Sequence, residues 1–173
     1  RWHSMANLTQ TYGSYTALTL TSLASLASSA TAGWISAIID NRTTGAIDYE
    51  LLFSFPMANT AAANDKAIYV LAVPAMHNGS AWVLADGGTT TLPTAGPAAY
   101  TFAGITSTHN FRPLVALAYT AADQIVQGVA MLSEAVGQSM PDGFALFVLN
   151  YSGAAFDASG QVIAYKAIGN AVA

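Results

Sequence analysis

Apolar positions along this chain fall in short runs rich in β-branched and aromatic residues, each closed by glycine, proline, asparagine or aspartate. The pattern predicts strands, because alternating side chains suit a pleated surface and the closing residues suit tight turns. Ten strands are predicted, over residues 15–21, 33–40, 47–56, 67–73, 80–86, 99–105, 113–121, 124–134, 145–151 and 162–166. Helical periodicity is scarce. Its best candidate is 123–136, where Ile125, Val126, Val129, Met131 and Leu132 match neither a 3.6-residue nor a two-residue period, and the segment is read as strand. Turn residues fall between these runs at NRTTG (41–45), Asn78-Gly79, Asp86-Gly87-Gly88 and Asp142-Gly143, all able to take the positive φ of tight turns. Closely spaced strands without intervening helices predict an all-β, antiparallel β-sandwich rather than a parallel α/β sheet.

No repeat, charge run or long linker marks a second domain, and 173 residues suffice for one core without disulfides or a structural metal. Met5 opens MANLTQ as a native start would, so residues 1–4 are read as an appended tag. Residues 5–32 form an extended N-terminal arm or first strands, and 33–173 a single β-sandwich domain.

Composition changes the picture. Charged residues make up 8% of the chain, five Lys plus Arg against nine Asp plus Glu, where a soluble chain usually carries about a quarter. A surface so poor in charge predicts a homo-oligomer or a component of a larger assembly. The net charge of −4 and five scattered cations exclude the basic patch that nucleic acid requires. Mean hydropathy is high, at +0.42, but no stretch of about 20 uninterrupted apolar residues is present for a spanning helix, and no membrane contact is expected. The absence of cysteine rules out thiol nucleophiles and thiolate metal sites.

Candidate chemistry is thin. His3, His77 and His109 share no metal-ligand spacing, and His77 and His109 read as loop imidazoles. Asp48 and Glu50 alternate on one strand and share a face, as a glycosidase pair sometimes does, but a solvated strand face is the stronger reading. Asp40, Asn41, Asp48 and Glu50 are the one cluster able to gather oxygen ligands for Ca2+. There is no GxSxG elbow and no phosphate-binding glycine loop. No catalytic residue, metal or cofactor is assigned, and the expectation is a protein that is not an enzyme. Trp34, Trp82, Tyr100, Tyr119, Tyr151 and Tyr165 could form a sugar-stacking platform, but lying inside strands they are read first as core or interface packing.

The stretch 32–55 (AGWISAIIDNRTTGAIDYELLFSF) with 66–88 carries a Trp-x-Ser-x-x-x-Asp-Asn element, formed by Trp34, Ser36, Asp40 and Asn41, followed by a strand opening with acidic Asp48. It resembles small jelly-roll virion proteins of tailed bacteriophages over about a third of the chain. The resemblance implies a jelly-roll-like sandwich, a homotrimer, and a structural place on the virion as a capsid decoration or cement protein bound to the major capsid or another virion protein. The alternative is a carbohydrate-binding or receptor-binding β-sandwich module that touches host glycan. Leu18, Leu20, Leu23 and Leu26, in a segment without charge, together with Trp34 and Trp82, are the residues expected to bind the partner.

Overall fold

The computed structural model describes residues 8–63, 67–84, 98–101, 110–137 and 139–172. The fold is all-β, with 53% of residues in strands and 4% in helix, and two curled antiparallel sheets pack face to face. Among the described residues the strands are β1 (Leu8–Tyr12), β2 (Thr16–Ala17), β3 (Ala32–Ile35), β4 (Ile39–Asp40), β5 (Asp48–Pro56) and β6 (Ala67–His77), then β7 (Trp82–Leu84), β8 (Ala98–Thr101), β9 (Arg112–Ala118), β10 (Ile125–Met131), β11 (Gly143–Tyr151) and β12 (Val162–Val172). One sheet runs β1-β12-β5-β10, with β2 also paired to β12. The other runs β7-β6-β11-β3-β8, with β4 on β11 and β9 on β6. From β4 to β6 and again from β9 to β12, each successive strand changes sheet, so the chain passes repeatedly between the two layers. Among the described pairings, only β6 and β7 join consecutive strands.

β5 shows why the sheets meet. Tyr49, Leu51, Phe53 and Phe55 are buried while the residues between them are not, the period-two alternation of a strand with one face on a core. Ile163 from β12, Val126 from β10, and Val70, Leu146 and Trp34 from the opposite sheet complete this inter-sheet core. Phe55 stacks on Phe156 with ring centroids 5.0 Å apart. β11 differs: Gly143 through Val148 are all buried, so both of its faces are covered. Phe144, Leu146 and Val148 enter the inter-sheet core, while Ala145 and Phe147 join Ile35, Val73, Leu84 and Phe111 in a second, smaller core on the sheet's outer side. Gly33 permits the close approach of β3, because a Cβ there would lie 2.4 Å from the Val148 carbonyl oxygen and 2.5 Å from the Phe147 ring.

Several sequence expectations are corrected. Strand β1 was not predicted, since LTQTY has no apolar alternation; it exists because it pairs with the end of β12, from Leu8 opposite Val172 to Tyr12 opposite Ile168. The same pairing carries β12 six residues past the predicted end at Lys166, through a Gly169-Asn170 sequence that reads as a breaker. β6 continues through Pro74 to His77; that proline falls at the break between β9, whose pairing ends at Ala72, and β7, whose pairing begins at Ala75. The predicted strand 124–134 ends as one helical turn, α1 (Leu132–Val136), because Leu132 drops into the core and the Asp48 carboxylate accepts the Ser133 N–H at 3.0 Å and its hydroxyl at 2.6 Å. Gly143 is no turn residue. It opens β11, and its missing side chain leaves room for the Trp82 ring. The Asp86-Gly87-Gly88 turn and the ends of the 80–86 and 99–105 predictions lie outside the described residues.

The N-terminal segment is woven in rather than laid outside as an arm. The Leu18 N–H donates to the Ile163 carbonyl at 2.9 Å, and the Trp34 indole N–H donates to the Thr21 carbonyl at 2.9 Å. Leu23 is fully buried, held on a loop where Ser22 and Ser25 take positive φ values of 67° and 57°. Buried Asn150 fixes the far side: its Nδ2 donates to the Leu26 and Ala154 carbonyls at 2.9 and 2.8 Å, and its backbone carbonyl accepts the Ser29 N–H at 2.7 Å. Leu23→Ala should therefore cost about 2–5 kcal/mol of folding stability, as core truncations do, whereas Met76→Ala, at a half-exposed position on the other sheet, should stay within about 0.5 kcal/mol. Urea unfolding followed by tryptophan fluorescence measures both.

Candidate interaction surfaces

The residues expected to bind a partner do not form one surface. Leu23 and Trp34 are completely buried, and Leu18, Leu20 and Leu26 are partly buried against the inter-sheet core. Their apolarity serves the fold, which removes Leu23 and Trp34 from any docking role. Trp82 is half-buried at one end of the second sheet, with the Arg42 guanidinium 4.8 Å above its ring and the His77 ring 5.1 Å away, edge-on. Arg42 is held in turn by Asp40 at 2.7 Å, and the Asp142 carboxylate accepts the His77 backbone N–H at 2.9 Å. One face of the indole is thus occupied.

The oxygen-rich cluster separates in the same way. Asp40 pairs with Arg42, and Asp48 caps α1. Buried Asn41 accepts the Ala46 N–H and the Tyr49 hydroxyl, both at 2.8 Å, and donates to the Ala46 carbonyl at 3.2 Å, which ties down the NRTTG turn. Glu50 bonds to Lys166 at 3.0 Å and to the Tyr15 hydroxyl. Among the described residues, no three acidic or histidine side chains converge as a metal site would require. Ser36 repairs a ladder: between β3 and β4 its hydroxyl accepts the Leu146 N–H at 2.9 Å, in place of a backbone carbonyl. Asp48 and Glu50 do share the outward face of β5, as their alternation predicts.

Among the described residues, the aromatic side chains form no row. Tyr119 is buried, its hydroxyl donating to the Thr60 carbonyl, and Tyr165 packs on the core while Tyr151 is exposed on the other sheet. The side chain of Tyr100 lies outside the described residues, as does His109. Two shallow depressions mark the second sheet. One of about 370 Å³ is lined by Tyr69, Leu71, Pro113, Val115 and Leu149, where the β6–β9 register slips; the other, of about 390 Å³, is lined by Pro74, Met76, Arg112, Met140 and Asp142. No described helix is long and apolar enough to cross a membrane.

Among the described residues, several exposed apolar side chains stand on the outer face of the first sheet. The register places Leu52 beside Ala164 and Val129, Ser54 beside Val162 and Gln127, and Pro56 beside Ile125. Leu8 and Tyr12 extend the face across β1. Ile125, Val129 and Leu8 are 57%, 56% and 68% exposed. The failed periodicity of 123–136 was the signal for this surface: β10 carries Ile125 and Val129 outward, with Gln127 between them, and Val126 and Ala130 inward, so apolar residues stand on both faces.

At the centre of the face lies the Glu50–Lys166 pair, its side chains 24% and 18% exposed. The Lys166 ammonium stands 4.8 Å from the Tyr15 ring centroid and 5.5 Å from that of Tyr12. The Tyr15 hydroxyl, with Lys166 second, holds the Glu50 carboxyl below its ordinary value of 4.5, and Glu50 raises both Lys166 and Tyr15. A carboxyl depressed in the folded state stabilises the fold above its unfolded value, and that contribution is lost as pH falls through the folded one. Glu50→Gln should therefore flatten the decline of thermal midpoint between about pH 5 and pH 3 relative to wild type, leaving the part due to Asp40, which Arg42 depresses likewise. A pH series of melting curves reads the difference. Comparison with protein-family models, with curated proteins and with solved structures finds no match to this chain.

Proposed function

We propose that the chain is a structural virion protein, a homotrimer that decorates and cements a bacteriophage head by adhesion over area rather than by catalysis. The observation that carries this reading is the way the side chains are used. Asp40, Asn41, Asp48, Glu50 and Ser36, the residues best suited to chemistry, are each engaged in bonds that hold turns, a helix end or a sheet. Large apolar side chains, among them Leu8, Ile125, Val129, Tyr69 and Met76, stand in solvent instead.

Isolated exposed apolar residues are ordinary, but contiguous ones mark interaction surfaces. With 8% charged residues, the chain has few means of binding through ion pairs. Contacts of this kind are modest singly and gain from repetition around a symmetric particle. Because few charges take part, attachment depends weakly on salt.

The protein is expected to copurify with intact heads through a density gradient and to stay attached at about 0.5 M salt, where surface ion pairs are screened. Recovery wholly in the soluble fraction at low salt would overturn the virion role, and release on moving to about 0.5 M would overturn the apolar mechanism.

A further inference from the structure

We infer that Asn78, at the tip of the β6–β7 hairpin, is a self-modification site: the Gly79 backbone nitrogen closes on the Asn78 carboxamide with His77 as general base, and the residue becomes aspartyl or isoaspartyl.

Asn78-Gly79 is the single Asn-Gly step in the chain. Both residues are exposed between β6 and β7, and the Asn78 N–H donates to the Ala81 carbonyl at 3.1 Å to close the turn. Gly79 takes a φ of +97° and nothing lies within 4 Å of the place a Cβ would occupy, so no side chain crowds its nitrogen. The two reacting groups belong to adjacent residues, and the chain itself supplies their proximity.

The hydrogen bonds of the turn put each group in the role that ring closure needs. The Gly79 N–H donates to His77 Nδ1 at 3.1 Å, within reach of a general base. An Nδ1 that accepts carries no proton and is free to take one. The Asn78 Oδ1 accepts the N–H groups of Ser80 and Ala81 at 3.0 and 2.9 Å. Two donors on one carbonyl oxygen draw electrons from Cγ and stabilise the negative charge that forms there on attack. The imidazolium formed when His77 takes the proton meets negative charge as well. The Asp142 carboxylate accepts the His77 backbone N–H at 2.9 Å, and Asp40, whose carboxyl Arg42 chiefly and His77 in small part hold below its ordinary value, stands near. Trp82, its ring 5.1 Å from that of His77 and edge-on, packs the imidazole in place.

The reaction balances with water as its one co-reactant. The Gly79 nitrogen bonds to Asn78 Cγ and gives its proton to His77 Nδ1. The tetrahedral carbon then expels Nδ2, which takes that proton back and leaves as ammonia, and a succinimide remains. Water opens the succinimide at Cγ to leave aspartyl, or at the Asn78 backbone carbonyl carbon to leave isoaspartyl, with an added carbon in the main chain. Either product adds a carboxylate to a chain of net charge −4. The reaction occurs once per chain, so the fraction converted records the age of the folded protein.

The test incubates the full chain at neutral pH and follows residue 78 by peptide mapping, with mass spectrometry reading the exchange of NH2 for OH and chromatography resolving the isoaspartyl peptide. Folded wild type should convert at least about tenfold faster than the same chain held unfolded in guanidinium chloride, the low end of what a positioned base supplies. His77→Phe, which keeps a ring beside Trp82 and removes the acceptor, should lose that acceleration. His77→Gln, which can accept the Gly79 N–H but cannot take its proton, should lose it too, and far-UV circular dichroism checks that both variants keep the β fold. A His77→Gln protein as fast as wild type would overturn the base, since the bond would then only hold the turn. Conversion no faster in the folded chain than in the unfolded one would overturn the site, and that comparison decides alone should a variant fail to fold.

Discussion

The whole architecture hangs on a strand that is buried on both sides. β11 sends Phe144, Leu146 and Val148 into the inter-sheet core and Ala145 and Phe147 into the second core, while its edges pair with β6 on one side and β3 and β4 on the other. A strand apolar on both faces must be covered twice. The first sheet covers one face, and Phe111, Ile35 and Leu84 cover the other. Asn150, near its end, then gathers the N-terminal loop and the 152–156 turn through side-chain bonds, so the segment before β3 becomes part of the layer structure.

The outermost strands follow a different rule. β5 is apolar inward and mixed outward, but β10 carries apolar residues both ways, and only its inward side is covered within the chain. The physics that gives β11 a cover on each face leaves β10 with one face in water. A chain with few charges has little to offset such exposure except contact with another surface. The exposed face and the scarcity of charge are therefore two aspects of one constraint.

Much of the fold was legible in the sequence because turn chemistry and alternation are local. β5 and β9 fall close to their predicted bounds, and the NRTTG turn is built as its residues suggest. What was not legible is tertiary. β1 and the end of β12 hold each other, and neither has a pattern of its own. α1 forms because Asp48, 85 residues earlier in the chain, caps Ser133. The Trp34, Ser36, Asp40, Asn41 and Asp48 element that carried the resemblance serves folding at every position, in the core, a ladder repair, an ion pair, a turn and a helix cap. It marks how the chain returns from β4 to the first sheet at β5. The surface proposed for interaction escaped motif reading because it holds no motif, only outward apolar residues.

The central claim is that the exposed apolar side chains meet another surface in the working protein, and hydroxyl-radical footprinting of the native assembly examines it most directly. Leu8, Ile125, Val129, Tyr69, Met76 and Tyr151 are all exposed in the isolated chain. After allowance for intrinsic reactivity, the account predicts that a contiguous group of them is protected several-fold in the assembly. Labelling of all six in proportion to their exposure in the single chain would contradict it.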